Sequence, residues 1–178
     1  MTKESGCAVG KRILIIGNSG SGKTTFARSL AEKTALPLVH LDRLFWRGNW
    51  ESLPKEEFDP LLKAELEKET WIIDGNFSRT LPMRLQYCDT VFYLDFPTVV
   101  CLWGITKRLF QYYNRTRPDM GGVCIERLDK EKIQLYKAVL GYNKRHLERY
   151  RLLLSEQTKA KVITFHSRKE VRDFLQAL

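Results

Sequence analysis

The sequence lacks the features that mark secreted, zinc-stabilised and membrane proteins. Its four cysteines, Cys7, Cys88, Cys101 and Cys124, are widely spaced, with no C-x-x-C pair and no cysteine–histidine cluster at metal-ligand spacing. This usage favours a reduced environment and argues against structural zinc. No apolar run approaches the roughly 18 residues of a membrane span, and the first residues lack the apolar core of a signal peptide. We therefore expect a cytoplasmic protein without a membrane partner, with residues 1 to about 10 as a frayed leader.

Internal repeats, low-complexity segments, and helix-turn-helix or RNA-recognition signatures are also absent from the sequence. The 178 residues, of which 43% are hydrophobic and 29% charged, suffice for one domain with a sizeable core. We expect a single domain over residues 1–178, with at most a small inserted lid.

Charge is distributed unevenly along the chain. The net charge is +9, but residues 101–151 hold twelve Lys/Arg against five Asp/Glu, whereas residues 51–75 hold three against eight. The basic region has three interpretations, which are an electrostatic funnel for a nucleotide and a second anion, a nucleic-acid surface, or a solvated helix face.

One stretch near the start carries the strongest functional signal. An apolar β-branched run over residues 12–16 is followed by a glycine-rich loop, and helical periodicity then extends from Lys23 to about Thr34. Strand, loop and helix in this order form a P-loop, whose backbone N–H groups and helix N-terminus bind polyphosphate. Lys23 would reach the β- and γ-phosphates of ATP, and the Thr24 hydroxyl would ligate Mg²⁺. The predicted nucleotide-binding residues here are Gly17, Asn18, Ser19, Gly20, Ser21, Gly22, Lys23, Thr24 and Thr25.

Four more short apolar runs predict strands, over residues 38–41, 71–74, 90–95 and 161–165. Helical patterns between and after them predict helices over about 54–69, 97–114 and 129–155 and a terminal helix with a capping box at Ser167. Strand–helix–strand connections are right-handed, so we expect a parallel sheet. Asp42 and Asp74, which follow two of the strands, should then lie on the same rim as the P-loop. Asp74 has the position of a Walker B carboxylate, which holds Mg²⁺ directly or through water.

Two segments outside the sheet are candidates for binding the second substrate and closing the site. Residues 43–69 start with a tryptophan-containing stretch that is irregular or briefly helical. They form an acceptor-binding flap or the next crossover, two interpretations that are compatible, and the tryptophans serve packing or base stacking. Residues 108–127 contain a Pro/Gly-Gly break among basic residues and predict a small lid, with Arg115 and Arg117 acting on the transferring phosphoryl group.

The sequence resembles the adenylate-kinase-like branch of P-loop proteins from about Arg12 to its end. The turn after Asp74, Gly75-Asn-Phe-Ser-Arg79-Thr80, is similar to the Asp-Gly-Phe-Pro-Arg-Thr segment of nucleoside monophosphate kinases, with one extra residue, Asn76, and no proline. Leu41-Asp42, the tryptophans and the arginine-rich middle resemble the DNA topology modulation proteins. The resemblance implies a three-layer α/β P-loop NTPase fold, with a five-stranded parallel sheet in the order 2-3-1-4-5, helices on both faces and a small helical lid. It further implies that Arg79 binds an acceptor anion, that Arg108 belongs to the lid, and that His166, Ser167 and Arg168 border adenine.

These features favour an ATP- and Mg²⁺-dependent kinase acting on a small hydroxyl-bearing or nucleotide-like acceptor. An ionised phosphate acceptor needs no base, whereas an alcohol does, so Asp42 favours an alcohol. Asp42 has a structural alternative, which is to cap the next turn or pair with Arg43 or Arg47. The alternatives for the whole protein are an ATP-binding, nucleic-acid-associated regulator without a metabolite acceptor and a plain NTPase.

Overall fold

Strands and helices alternate along nearly the whole chain. A computed structural model of the protein describes residues 9–156 and 159–178, so Cys7 and most of the predicted leader lie outside the described residues. The elements are β1 (Arg12–Gly17), α1 (Lys23–Thr34), β2 (Leu38–His40), α2 (Leu41–Phe45), β3 (Trp46–Gly48), β4 (Glu51–Ser52), α3 (Lys55–Leu66), β5 (Trp71–Asp74), α4 (Leu81–Leu85), β6 (Thr90–Leu94), α5 (Thr98–Gln111), α6 (Lys130–Leu140), α7 (Tyr142–Glu156), β7 (Lys161–Phe165) and α8 (Arg168–Ala177).

Five of the strands form a parallel sheet in the order β2-β5-β1-β6-β7. Counted among themselves along the chain, these strands lie in the predicted order 2-3-1-4-5. The register sets Asp74 of β5 beside Ile15 of β1 and His40 of β2. The carboxyl ends of parallel strands meet at one edge, so the P-loop and the turns after β2 and β5 share that edge.

Helices cover both faces of the sheet, as expected of a three-layer α/β fold. Successive residues of a strand point to opposite faces. Leu14 and Ile16 of β1 therefore pack in one core with residues of α3, α4 and α7, and Ile13 and Ile15 pack in the other with residues of α1, α5 and α8. All four side chains are fully buried. No helix of the described residues is long and apolar enough to cross a bilayer.

Several boundaries differ from the sequence-based expectation. The single helix expected over 129–155 is two helices, α6 and α7, which are separated at Gly141. The second strand ends at His40, so Asp42 lies in the first turn of α2 instead of ending a strand. The stretch over 43–53 was expected to be irregular or briefly helical. It contains the end of the short helix α2 and then a β3–β4 hairpin, whose turn residues Asn49 and Trp50 have positive φ angles of 45° and 59°.

Residues 112–129, here called the α5–α6 segment, contain no helix, whereas a small helical lid was expected. The segment is held by two isolated bridges, Tyr113 with Glu126 and Thr116 with Ile125. It also contacts the β3–β4 hairpin, because the Asn49 N–H donates to the Val123 carbonyl at 2.8 Å and Trp50 Nε1 donates to the Ile125 carbonyl at 3.1 Å. The hairpin and the α5–α6 segment are therefore joined.

A buried arginine fixes the turn that follows β5. Arg84, on α4, has no exposed surface, and its guanidinium donates to the carbonyl oxygens of Gly75, Asn76 and Phe77 at 2.9 Å each. Burial lowers the pKa of Arg84 to about 10, so the group stays charged at neutral pH. The Tyr150 hydroxyl from α7 also lies 3.2 Å from the Asn76 carbonyl and 3.1 Å from its side-chain oxygen. Hydrogen bonds from the buried side chains of Arg84 and Tyr150 thus fix the backbone of residues 75–77.

We predict that Arg84→Met lowers the free energy of unfolding by about 2–5 kcal/mol, because three carbonyl groups lose a charged donor. Urea denaturation measures the loss. The matched control is Arg149→Met, since Arg149 is exposed on α7 and its replacement should change stability by no more than about 0.5 kcal/mol. Equal losses in the two variants would contradict this role of Arg84.

Candidate nucleotide and acceptor site

The loop between β1 and α1 has the backbone that a phosphate cradle requires. Gly22 has a φ of +98°, which side-chain-bearing residues rarely adopt, and a Cβ there would meet no atom within 4 Å, so this position faces open space. Gly20 is constrained by packing instead, because a Cβ there would lie 2.1 Å from the Cys101 carbonyl oxygen of α5. Gly104 of α5 approaches the Gly20 backbone equally closely. Helix α5 therefore packs directly against the backbone of the loop at Gly20.

Most of the predicted nucleotide-binding residues line one large cleft of about 830 Å³. Gly17 and Asn18 are the two members of the loop that are not part of its lining. Asn18 is buried, and its Nδ2 donates to the Val139 carbonyl at 3.2 Å, so its side chain anchors the loop to α6. The predicted residues that line the cleft are Ser19, Gly20, Ser21, Gly22, Lys23, Thr24, Thr25, Asp42, Asp74, Arg108, Arg117 and Arg168.

Lys23 begins α1 and is directed back over its own loop. Its Nζ donates to the Asn18 carbonyl at 2.9 Å. Burial lowers the pKa of the Lys23 ammonium, and the negative charges of Asp74 and Asp42 oppose that shift. The lysine is thus held inside the cleft among backbone donors and two carboxylates, and it is the strongest candidate for contact with a phosphate chain.

Asp74 is the point at which three elements meet. The Thr24 hydroxyl donates to Asp74 Oδ2 at 2.8 Å, and His40 Nδ1 lies 3.1 Å from the same oxygen. The other carboxylate oxygen, Oδ1, is buried and has no hydrogen-bond partner among the described residues. A hydroxyl beside a carboxylate with an unpartnered buried oxygen fits the oxygen ligands that Mg²⁺ prefers, so the donor set fits this ion.

Sequence reasoning missed His40. The residue ends β2, where its register partner is Asp74, and it lies in the cleft wall. A histidine at the end of an apolar run offers no local signal of its role. Its position beside a Walker B carboxylate follows only once the pairing of β2 with β5 is known.

Asp42 lines the same cleft, and 40% of its side-chain surface is open to solvent through it. Its ion-pair partner is Arg117, whose Nη2 lies 3.7 Å from Oδ2. Arg47, a partner expected under the structural alternative, instead pairs with Glu57. The surrounding protein raises the pKa of the Asp42 carboxyl, and the positive charge of Arg117 opposes the shift.

Arg117 belongs to a buried network that the sequence did not indicate. Its Nη1 lies 2.9 Å from Asp119 Oδ2, and its Nε lies 3.0 Å from Glu126 Oε1. Glu126 has no exposed surface and also pairs with Lys132 and, at 3.9 Å, with Arg108. Cations from α5, α6 and the α5–α6 segment therefore converge on one carboxylate at the edge of the cleft.

Two predicted arginines lie outside the cleft. Arg79, expected to bind an acceptor anion, is 43% exposed and pairs with both carboxylate oxygens of Asp59, at 2.8 and 2.5 Å. Arg115 has an exposed side chain and is not part of the cleft lining. Neither side chain meets the groups around Lys23.

Of the three consecutive residues expected to border adenine, only one lines the cleft. His166 is 67% exposed, with Nδ1 3.9 Å from Asp95 Oδ2. Ser167 caps α8, since its Oγ accepts from the Glu170 N–H at 3.3 Å, as the capping-box pattern predicts. Only Arg168 lines the cleft, together with Arg172 of the same helix.

Solved structures with a similar fold include three kinases. Shikimate kinase from Bacteroides thetaiotaomicron matches with 17% sequence identity, a TM-score of 0.55, and coverage of 93% of this chain and 94% of that chain. Shikimate kinase from Acinetobacter baumannii in complex with shikimate matches with 18% identity and a TM-score of 0.57, over 93% of this chain and 91% of that chain. A sugar kinase from Janibacter sp. HTCC2649 matches with 18% identity and a TM-score of 0.52, over 94% of this chain and 91% of that chain. The chain thus shares its fold with these three proteins.

At the level of sequence, no protein-family model matches the chain, and no curated protein matches it. The specific resemblance to adenylate kinases and to the DNA topology modulation proteins therefore stays a prediction.

We predict that Arg117→Gln raises the pKa of Asp42 further above its usual value, because the variant removes the cation that opposes the shift. Asp42 then becomes protonated at a higher pH than in the parent protein. A ¹³C NMR titration of the carboxyl carbon measures both pKa values. Arg115→Gln is the matched control, since its exposed side chain lies outside the cleft and the pKa of Asp42 should not move. A pKa that stays unchanged in Arg117→Gln would contradict the coupling.

Proposed function

We propose that this protein is an ATP- and Mg²⁺-dependent phosphotransferase that transfers the γ-phosphoryl group of ATP to a hydroxyl of a small acceptor. The observation that supports it best is the presence of the Asp42 carboxylate in the same cleft as the P-loop lysine. A phosphate cradle alone is common to many ATP-binding proteins, whereas a carboxylate facing it suits a reaction in which an acceptor must lose a proton.

The P-loop side of the cleft would hold the nucleotide. Backbone N–H groups at the N-terminus of α1 and the ammonium of Lys23 would bind the phosphate chain. Thr24 and Asp74 would hold Mg²⁺, which when bound neutralises charge on the phosphates. Arg168, near the start of α8, would border the base. Of the two predicted arginines in the cleft, Arg108 would stabilise charge on the transferring group, whereas Arg117 is already paired with three carboxylates.

The opposite side would hold the acceptor. The acceptor oxygen forms its bond to the γ-phosphorus as the bond from that phosphorus to the β–γ bridging oxygen breaks, and ADP leaves. The hydroxyl proton passes to the Asp42 carboxylate, whose raised pKa favours accepting it. Asn76 and Phe77 of the turn after β5 complete this side of the cleft. No residue of 43–69, the predicted acceptor-binding segment, lines the cleft, and the segment would contribute by supporting the lining, as Phe58 does where it stacks on Phe77.

The names of the structural neighbours support an alcohol acceptor. Shikimate and sugars both carry hydroxyl groups, and the neighbours are named as kinases for these compounds. A kinase of nucleoside monophosphates needs cations for an ionised phosphate, and Arg79, the residue proposed for that task, faces Asp59.

The alternative of a nucleic-acid-associated regulator, as the resemblance to topology modulation proteins suggests, rests on the basic region at 101–151. Three cations of that region, Arg108, Arg117 and Lys132, face Glu126 instead of an open surface. The electrostatic-funnel interpretation of these charges is therefore the one we adopt, with a cytoplasmic location as part of the proposal.

We predict that Lys23→Ala weakens binding of ATP·Mg²⁺ by roughly ten- to a hundredfold, since a charge-assisted contact to phosphate contributes about 1.5–3 kcal/mol. Titration calorimetry measures the affinity. Lys63→Ala is the control, because Lys63 is 59% exposed on α3 and pairs with Glu67. Parent-like affinity in Lys23→Ala would show that the loop is not a nucleotide site.

We predict that Asp42→Asn lowers the rate of phosphoryl transfer by about 100-fold or more, while the affinity for ATP stays within about twofold, because the amide cannot accept the proton. Product analysis by ³¹P NMR with ATP, Mg²⁺ and a panel of hydroxyl-bearing metabolites measures transfer. In the parent, activity should fall as the pH drops through the raised pKa of Asp42. Asp173→Asn, on an exposed surface of α8, controls for loss of a carboxylate. Full transfer in Asp42→Asn, or efficient phosphorylation of nucleoside monophosphates by the parent, would refute the assignment.

A further inference from the structure

The two walls of the cleft differ in charge. The wall built from α1, α5 and α8 contributes six cations to the lining, which are Lys23, Arg28, Lys107, Arg108, Arg168 and Arg172. Residues 38–94, all of them described, contribute the carboxylates of Asp42 and Asp74 and no lysine or arginine. The positive charge of the cleft therefore lies on the nucleotide side, and the acceptor side is neutral to negative.

Residues 38–94 contain four arginines, and none of them lines the cleft. Arg43 has an exposed side chain, and the other three are engaged elsewhere. Arg79 pairs with Asp59, and Arg47 pairs with Glu57, both on the outer surface near α3. Arg84 is buried beneath the cleft floor, and its two Nη atoms are committed to backbone carbonyls. None of the three reaches the space in front of Asp42.

Arg117 of the α5–α6 segment also lies next to the acceptor side, but carboxylates already balance its charge. Arg117 has three carboxylates around it, namely Asp119 at 2.9 Å, Glu126 at 3.0 Å and Asp42 at 3.7 Å. Arg28 of α1 also approaches Asp119, at 3.9 Å. An anionic group on the acceptor would have to displace one of these carboxylates or lose its hydration without gaining a cation, and either change is costly.

The remaining surface suits a neutral ring. Phe77 lines the cleft, and its ring stacks on Phe58 with centroids 5.5 Å apart, so it is held in place as a flat apolar face. His40 and Asn76 supply polar groups in the same lining. A cyclic compound with several hydroxyls can place its C–H face on such a ring and its hydroxyls on the polar groups.

We propose, on the basis of the phosphotransfer function above, that the acceptor is an uncharged or amine-bearing polyol and carries no carboxylate or phosphate. The site thereby differs in acceptor charge from one that takes shikimate, a carboxylate-bearing acceptor named for two neighbours of the same fold. Asp42 and Asp119 would favour an ammonium group and repel an anion.

The experiment compares acceptors that differ in charge alone or nearly so. The probes are glucose, glucosamine and glucuronate, and shikimate with its methyl ester, each with ATP and Mg²⁺, and ³¹P NMR of the phosphorylated product gives kcat/KM. We expect transfer to the neutral or amine member of a series at least tenfold more efficient than to its acid. A preference for the acid would overturn the acceptor class and leave the phosphotransferase standing. Absence of transfer to every probe, with ATP bound, would count against phosphotransfer itself and the acceptor class with it.

A variant tests the role of charge balance at Arg117. Asp119→Asn removes the nearest carboxylate partner and should raise kcat/KM for the acid relative to its neutral partner by at least tenfold. Asp119→Glu should restore the parent ratio. Asp59→Asn is the matched control, because it also removes one carboxylate from an arginine pair, outside the cleft. An unchanged ratio in Asp119→Asn, with the protein folded by circular dichroism, would overturn the proposed basis of selection.

Discussion

The site depends on the convergence of three strand ends at Asp74. Parallel strands bring their carboxyl ends to one edge, and the pairing of β5 with β1 and β2 places Asp74 between the P-loop and His40. Its carboxylate then accepts from Thr24 and lies beside His40, within the electrostatic reach of Lys23. A shift of one residue in this register would turn Asp74 to the other face of the sheet. Burial of the strand residues and the contacts of Asp74 with Thr24 and His40 therefore require the same register.

A second constraint comes from charge that is buried at the cleft edge. A carboxylate without water, such as Glu126, is stable only with cations around it, and it draws Lys132, Arg108 and Arg117 together. This arrangement keeps the α5–α6 segment against the cleft without a helix. Three of the basic residues in 101–151 are thus paired with Glu126 inside the molecule. The net charge of the chain is therefore larger than the positive charge available on the surface to an anionic partner.

Much of the fold followed from local patterns, and the charged parts of the site did not. Apolar runs and the glycine-rich loop predicted the five strands, because strand burial and loop geometry depend on nearby residues. The order of the strands was expected from the resemblance to the adenylate-kinase-like branch and not from local patterns. The helix break falls at Gly141, a local signal because glycine disfavours a helix. The hairpin at Asn49, by contrast, depends on a distant segment, since the Asn49 N–H donates to the Val123 carbonyl. The same holds for charge, because the sequence does not distinguish buried Arg84 from exposed Arg79. Their partners lie on other elements, and only the folded chain assigns them.

The β3–β4 hairpin and the α5–α6 segment are connected so closely that neither can move independently of the other. Trp50 and Asn49 bond to the segment that carries Arg117, and the backbone at Gly122 is so close to Arg47 that a Cβ would lie 1.8 Å from the Arg47 carbonyl oxygen. A change in hairpin length would therefore move the arginine beside Asp42 as well. In the proposed reaction, a change in the hairpin would thereby reach the Asp42 carboxylate that accepts the proton, so redesign of either loop has to treat the two as a pair.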